Sequence, residues 1–244
     1  MSNFLTTAFD SVRKSALDAA RLALPQRCEL CAGHSGTDLV CRACMHDLPR
    51  IEPACPVCAL PAPEGETCGG CLAHPPPYDA TTSAYTYAFP VDRLVQAFKY
   101  QGRLALAEWC ADAIVAARAR IAMPAPEHVV AMPLAADRQR ERGFNQAAEI
   151  ARAVATRVDA TQIDAGVRRI RATAPQAALP WDERATNIRG AFECTLDLTG
   201  VHVAVIDDVM TTGATLAEFA RTLKAAGAAR VENWVVARTP PPNR

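Results

Sequence analysis

The sequence predicts an α/β domain with a mainly parallel sheet, preceded by a small cysteine-rich module. Three observations carry this expectation. Eight of the ten cysteines fall into four CxxC pairs between residues 28 and 71. From residue 78 onward, short apolar runs alternate with helical runs, the pattern of strands joined by crossover helices. Late in the chain, VAVIDDVMTTGATL (203–216) places two adjacent acids and a threonine- and glycine-bearing turn after an apolar strand.

At 244 residues the chain has room for one full domain and an appendage. Half the residues are hydrophobic and 21% are charged, so a sizeable core is expected. The formal net charge is zero, which leaves no global basic field for nucleic acid or an anionic membrane. Any polyanion site must be local.

Over residues 1–27, Leu5, Phe9, Val12, Ala16 and Ala20 recur at helical spacing among charged residues, so an amphipathic helix is expected. It could pack on the chain's own body, or dock on a membrane surface or a partner. Charges interrupt the apolar pattern throughout, unlike a signal peptide, and no run of about 18 apolar residues occurs. A cytoplasmic protein without a transmembrane segment is therefore expected.

In a cytoplasmic chain, close cysteine pairs point to metal rather than disulfides. The pairs are Cys28/Cys31, Cys41/Cys44, Cys55/Cys58 and Cys68/Cys71, and each cysteine of the second set follows its counterpart by 27 positions. This is a tandem repeat of one unit, and two copies imply two metals. Four thiolates close a tetrahedral zinc site with no position for a catalytic water, so both zincs are expected to be structural. Disulfides, a redox dithiol or an iron–sulfur cluster explain the strict repeat less well. The repeat favours sequential filling, with Cys28, Cys31, Cys41 and Cys44 on one ion and the rest on the other, while a cross-braced arrangement stays open. Cys110 and Cys194 stand alone in apolar surroundings and read as small buried hydrophobes.

Pro75, Pro76 and Pro77 continue neither helix nor sheet, and they mark the expected domain boundary. Beyond them, 80–88 reads as extended, 90–100 and 103–120 as helices, 128–132 as a strand and 144–158 as a helix. A polar, arginine-bearing stretch follows to about 190. The segment VHVAVI then reads as a buried strand, the next helix runs to about Ala226, and VENWVVA completes the sheet.

In an open α/β sheet, ligands bind beyond the carboxyl ends of the strands. A turn there that opens a helix can hold a phosphate with backbone amides and the positive end of the helix dipole. Thr211, Thr212 and Thr215 add hydroxyl donors, and Gly213 lets the backbone close around an anion. Asp207 and Asp208 suit vicinal ribose hydroxyls or the shell of a magnesium ion.

Residues 203–215 resemble, throughout their length, the thirteen-residue phosphoribosyl pyrophosphate signature of type I phosphoribosyltransferases. Three further features narrow the resemblance: FKYQGR (98–103), MPLAADRQRERGFNQA (132–147), and the spaced Arg171, Thr173, Gln176, Arg184, Asn187, Arg189, Gly190 and Phe192. With the paired CxxC units, the chain resembles the ComF family from Cys28 to Arg238. That resemblance implies a double zinc ribbon over 28–74 and a type I phosphoribosyltransferase-like domain over 78–240. It also implies that Thr211, Thr212, Gly213, Ala214 and Thr215 take the 5-phosphate of phosphoribosyl pyrophosphate, that Asp207 and Asp208 take its ribose hydroxyls, and that magnesium accompanies it. The loop after the 128–132 strand, where the fold puts pyrophosphate contacts, contains Arg138, Arg140 and Arg142. Members of the family are linked to DNA uptake in natural transformation.

From Arg138 to Arg189 there are ten arginines against six acids. The excess suits pyrophosphate or a nucleic-acid backbone equally, and pairing with Glu141, Glu149 and Glu183 on solvated helix faces is the plainer alternative. Trp181 and Phe144 could stack on bases or pack in the core. No acceptor-recognising motif is legible. Three roles compete: a phosphoribosyltransferase, a non-catalytic single-stranded-DNA-binding module working with competence proteins, and a phosphoribosyl pyrophosphate sensor without turnover.

Overall fold

The computed structural model describes residues 26–171 and 188–241. Nearly all of the expected amphipathic helix lies outside the described residues, as do Thr173, Gln176, Trp181, Glu183, Arg184 and Asn187. The chain divides into two compact units between Leu48 and Pro49.

In the smaller unit, strand β1 (Gln26–Arg27) pairs antiparallel with β2 (His34–Gly36), and a short helix α1 (Arg42–His46) follows. Its buried apolar side chains among the described residues are Cys28, Val40 and Leu48. So small a core needs a staple, and the cysteines supply one.

The larger unit begins with the second cysteine set and helix α2 (Gly69–Ala73). The elements of the main domain then follow in order: β3 (Ala80–Thr86), α3 (Val91–Tyr100), α4 (Leu106–Arg118), β4 (His128–Ala131), α5 (Ala136–Arg142), α6 (Gln146–Val158), β5 (Thr161–Ile163), β6 (Val167–Arg169), β7 (Phe192–Cys194), β8 (His202–Met210), α7 (Ala214–Ala225) and β9 (Arg230–Arg238). Five strands form one sheet in the order β3-β9-β8-β4-β5, parallel throughout. β6 and β7 make a separate antiparallel ribbon.

Both faces of the sheet are covered, which is why its central strands read as unbroken apolar runs. Val203 and Val205 of β8 enter a cluster with Leu216, Phe219 and Leu223 of α7 and Phe192 of β7. On β9, Trp234 and Val235 are both buried, although alternate residues of a strand point to opposite faces. Helices α4 and α6 pack on each other, α4 against β3 and β9 and α6 against β4 and β8.

The expected elements from 80 to 158 are present within a few residues of their anticipated ends. Two differences bear on function. β8 does not stop at Ile206 but runs four residues further, because β9 continues alongside it and pairs Asp207 with Val235 and Val209 with Ala237. The acids therefore sit on the rigid end of a strand rather than in a loop. The polar stretch also holds β5 and β6, and β7 follows it, each three residues long, too short for periodicity to reveal. Among the described residues no helix is long and apolar enough to cross a membrane.

Candidate metal centres and ligand cleft

The structure gathers the cysteines sequentially. The sulfurs of Cys28, Cys31, Cys41 and Cys44 lie within 4.8 Å of one another, and so do those of Cys55, Cys58, Cys68 and Cys71. The alternative of cross-bracing is thereby decided. The Sγ atoms of Cys31 and Cys41 are 3.8 Å apart and those of Cys58 and Cys68 3.6 Å. A tetrahedron with zinc–sulfur bonds of ~2.3 Å has an edge of about 3.8 Å, close to these two separations, so both sets are compatible with zinc.

Backbone amides prepare the ligands. Leu30 N and Cys41 N donate to Cys28 Sγ at 3.4 and 3.3 Å, and Cys68 N donates to Cys55 Sγ at 3.4 Å. Burial opposes ionisation of Cys28, but the amides of Cys31, Cys41 and Leu30 outweigh it and bring the thiol down to about 6. Cys55 is brought to about 7 in the same way, against burial, by the amides of Cys68, Cys58 and Val57. Each set thus holds one thiol poised to enter a metal as thiolate. Two structural zinc sites with closed four-sulfur shells account for this geometry. Cys110 is buried and Cys194 half-buried, and neither belongs to a set.

At the carboxyl ends of β4 and β8 lies a cleft of about 820 Å³. Asp207, Asp208, Thr211 and Thr215 line one side, and Lys99, Tyr100, Arg138, Arg142, Gln146 and Arg169 are among the residues lining the rest. Asp207 Oδ1 accepts from the amide of Asp208 at 2.9 Å. Lys99 Nζ, from the last turn of α3, lies 2.8 Å from Asp208 Oδ2, and the two side chains are 18% and 12% exposed. Burial at the cleft floor, aided by the neighbouring Asp208 charge, pushes the Asp207 carboxyl up to about 7, although Lys99 pulls the other way.

The turn after β8 is built as its composition suggests. Gly213 has φ +82°, which favours glycine, and a Cβ there would stand 2.6 Å from Met210 Cε and 3.1 Å from Tyr78 Oη, so both side chains would have to give way. Thr212 Oγ1 accepts from the amide of Ala214 at 3.2 Å and closes the turn. Gly213 is the N-cap of α7, and the first turn of that helix carries no acid to oppose an incoming anion. Thr211 and Thr215 face the cleft, whereas Thr212, Gly213 and Ala214 shape the turn from behind.

The arginines divide. Arg152 pairs with Glu149, Arg157 with Glu108 at 2.8 Å and Asp112 at 2.7 Å, and Arg168 with Glu193 at 2.6 Å, all away from the cleft. Arg140 is exposed, pairs with Asp137 and does not line the cleft. Arg138, Arg142 and Arg169 do line it. The Arg142 guanidinium lies 5.2 Å over the Tyr100 ring, and its Nη1 donates to Gln146 Oε1 at 3.1 Å. That bond fixes the amide orientation of Gln146, which is 2% exposed, and leaves its Nε2 and the Nε of Arg142 buried without a partner among the described residues. Both atoms are covered from solvent inside the cleft wall. Phe144 packs against Phe98, with ring centroids 5.9 Å apart.

Lys99, Gln146 and Arg169 were not singled out as site residues by sequence. Lys99 and Gln146 stand inside segments that carried the resemblance, but no spacing rule shows that α3 leans over the end of β8. Asn145 caps α6 by accepting from Ala147 N at 3.1 Å and donates to the carbonyl of Met132 at 3.1 Å, which fixes the cleft wall where α6 begins.

Comparison with known proteins follows the same division of the chain. Residues 19–72 match a double zinc ribbon domain and residues 142–242 a phosphoribosyl transferase domain. The chain is 34% identical over 228 residues to the DNA utilization protein YhgH of Salmonella typhi, an alignment covering 89% of this chain and 99% of that protein. The chain belongs to the ComF family. Other relatives of this ComF-family chain include the DNA utilization protein YhgH of Escherichia coli K12, at 33% identity over the same 228 residues. Competence protein F of Haemophilus influenzae is 29% identical over 222 residues, covering 87% of this chain and 96% of that protein. The parallel five-stranded sheet with its helices is the scaffold of a phosphoribosyltransferase domain, and the two four-cysteine sets belong to the ribbon region of the ComF chain.

Proposed function

We propose that the cleft binds phosphoribosyl pyrophosphate with magnesium and that the chain acts as a phosphoribosyltransferase in the handling of DNA. The observation that carries the reading is the juxtaposition, in one cleft, of a closed glycine–threonine turn, an acid pair and a basic wall. A 5-phosphate suits the hydroxyls of Thr211 and Thr215, which line the cleft where the start of α7 adds its dipole, while Thr212, Gly213 and Ala214 hold the shape of the turn. The ribose hydroxyls suit Asp207 and Asp208. The pyrophosphate suits Arg138, Arg142 and Gln146, with Lys99 close enough to Asp208 to exchange that carboxylate for an incoming phosphate oxygen.

Transfer from such a substrate breaks the bond from the anomeric carbon to pyrophosphate and develops positive charge on the ribose ring. The chain's contribution is to hold phosphate, ribose and leaving group in separate subsites and to place the two carboxylates beneath the developing charge. Bound with the substrate, magnesium would neutralise the pyrophosphate, with Asp207 and Asp208 the carboxylates at hand for its water shell. The link to DNA rests on the names of the relatives, two of which speak of DNA utilization and one of competence. Release of pyrophosphate in the presence of magnesium and a candidate acceptor tests the reading. Loss of that release in the Asp207→Asn, Asp208→Asn double variant is expected, and retained release would sink it.

Tyr100 favours a second reading. It is 67% exposed at the cleft mouth, with Arg142 over one face, an arrangement suited to stacking a base of single-stranded DNA. Binding that weakens steeply with salt and with Tyr100→Ala would support this role. Binding that is absent or insensitive to salt would exclude it.

A further inference from the structure

The second cysteine set is bonded into the framework that shapes the turn after β8, and a buried cation makes the connection. Arg238, the last residue of β9, is 3% exposed. Its Nε donates to the carbonyl of Cys58 at 2.8 Å, and its Nη1 donates to those of Met210 at 3.1 Å and Thr239 at 2.8 Å and to that of Thr211. All of these bonds end on carbonyl oxygens, so among the described residues no carboxylate is hydrogen-bonded to the buried charge. An isolated buried guanidinium is costly unless an opposite charge lies close. The carbonyl that its Nε reaches belongs to Cys58, one of the four residues of the second cysteine set, so that set is the nearest source of negative charge once its sulfurs hold a metal. Zinc with four thiolates carries a net charge of about −2 and supplies the offset.

The rest of the loop from Cys55 to Cys58 is equally committed. The carbonyl of Pro56 accepts from Thr81 N of β3 at 2.9 Å, and Val57 packs on the core cluster that contains Tyr78 and Met210. Tyr78 and Met210 are the two side chains that lie against the α-carbon side of Gly213 where a Cβ would project. The loop is therefore tied to the turn through Arg238 on one path and through the core cluster that Val57 packs against on another.

We propose that the Cys55–Cys71 zinc site supports the anion-binding turn, with Arg238 as the positioning residue that transmits the constraint from Cys58 to Met210 and Thr211. This rests on the reading of residues 211–215 as the 5-phosphate site. Arg238 touches no substrate in this account. It holds two carbonyls of the turn in place, and it is itself held by the metal loop.

The test uses the full zinc-loaded chain and two probes, ribose 5-phosphate for the turn and magnesium pyrophosphate for the opposite wall, each titrated calorimetrically. Arg238→Met is expected to weaken ribose 5-phosphate at least tenfold, to leave magnesium pyrophosphate within about twofold, and to speed the release of one of the two zinc ions to a chelator. Arg238→Lys, which keeps the charge but not the fork of donors, is expected to fall between wild type and Arg238→Met, and it keeps the question open to decision should Arg238→Met fail to fold. Unchanged ribose 5-phosphate affinity and zinc release in Arg238→Lys would overturn the proposal. Equal loss of both probes would also overturn it, because a general weakening of the unit does not distinguish the subsites. Wild type that ignores ribose 5-phosphate contradicts the phosphate-site reading itself, and that result is seen before any variant is made.

Discussion

Single residues set the chemistry of the cleft, and Asp207 is the one most exposed to pH. Its carboxyl is raised to about 7 by burial and by Asp208, so the folded state favours the protonated form. For stability the sign is unfavourable: the raised value costs the fold more as pH climbs from the ordinary carboxylate range to about 7. For ligand binding the direction reverses, because ribose hydroxyls and a magnesium shell need the ionised acid. Affinity for phosphoribosyl pyrophosphate with magnesium should rise between about pH 6 and pH 8, beyond the change due to the ligand's own ionisation, and Asp207→Asn should remove that excess. A pH series of titrations on both proteins checks it. Gly213→Ala should cost about 1–3 kcal/mol in a denaturant titration, since φ +82° and the contact with Met210 penalise any side chain. The double acid, the threonines and the glycine were legible in the sequence because the chemistry of a phosphate turn limits which residues can serve. Lys99 was not, because its role depends on where α3 lies in space.

The elements differ in how far local pattern determined them. The strands under both helical layers and the helices α3, α4, α6 and α7 follow from apolar periodicity. β5, β6 and β7 escaped it because a three-residue strand is too short to show a period and forms only where a neighbouring strand offers its edge. The four-sulfur sets were legible through their offset of 27 residues, and geometry then settled which cysteines share a site. The offset could not show that the second copy packs with the sheet, whereas the first lies in the other compact unit. Elemental analysis of the purified chain should find about two zinc ions. Cys55→Ser should lower the thermal transition of the larger unit by several degrees, while Cys28→Ser should leave that transition in place. At the end of the sheet where β8 and β9 begin, Glu232 accepts from Arg118 Nε at 2.9 Å, Trp234 Nε1 at 2.9 Å and Arg230 Nε at 2.8 Å. Burial would raise its carboxyl, yet these donors and His202 hold it far below the usual range. Arg118→Met should therefore destabilise the larger unit by about 3 kcal/mol, measured by chemical denaturation, because it strands part of a buried charge.

Over the whole chain, a neutral net charge conceals a sorting of arginines. Arg152, Arg157 and Arg168 are spent on ion pairs, while Arg138, Arg142 and Arg169 face a cleft whose floor is acidic. Sequence counting registered the excess of arginine but not this division, which depends on how the helices are turned. The central claim is that the acid pair, the turn and the basic wall form one site for phosphoribosyl pyrophosphate. Its most direct measurement is calorimetric titration of the zinc-loaded chain with phosphoribosyl pyrophosphate and magnesium, wild type against the Asp207→Asn, Asp208→Asn double variant. Hydrogen bonds to charged groups contribute about 1.5–3 kcal/mol each, so losing two should weaken binding roughly 100-fold or more. Saturable one-site binding in wild type that collapses in the variant is the predicted result. Equal binding by the two proteins, or none by wild type, would contradict the claim.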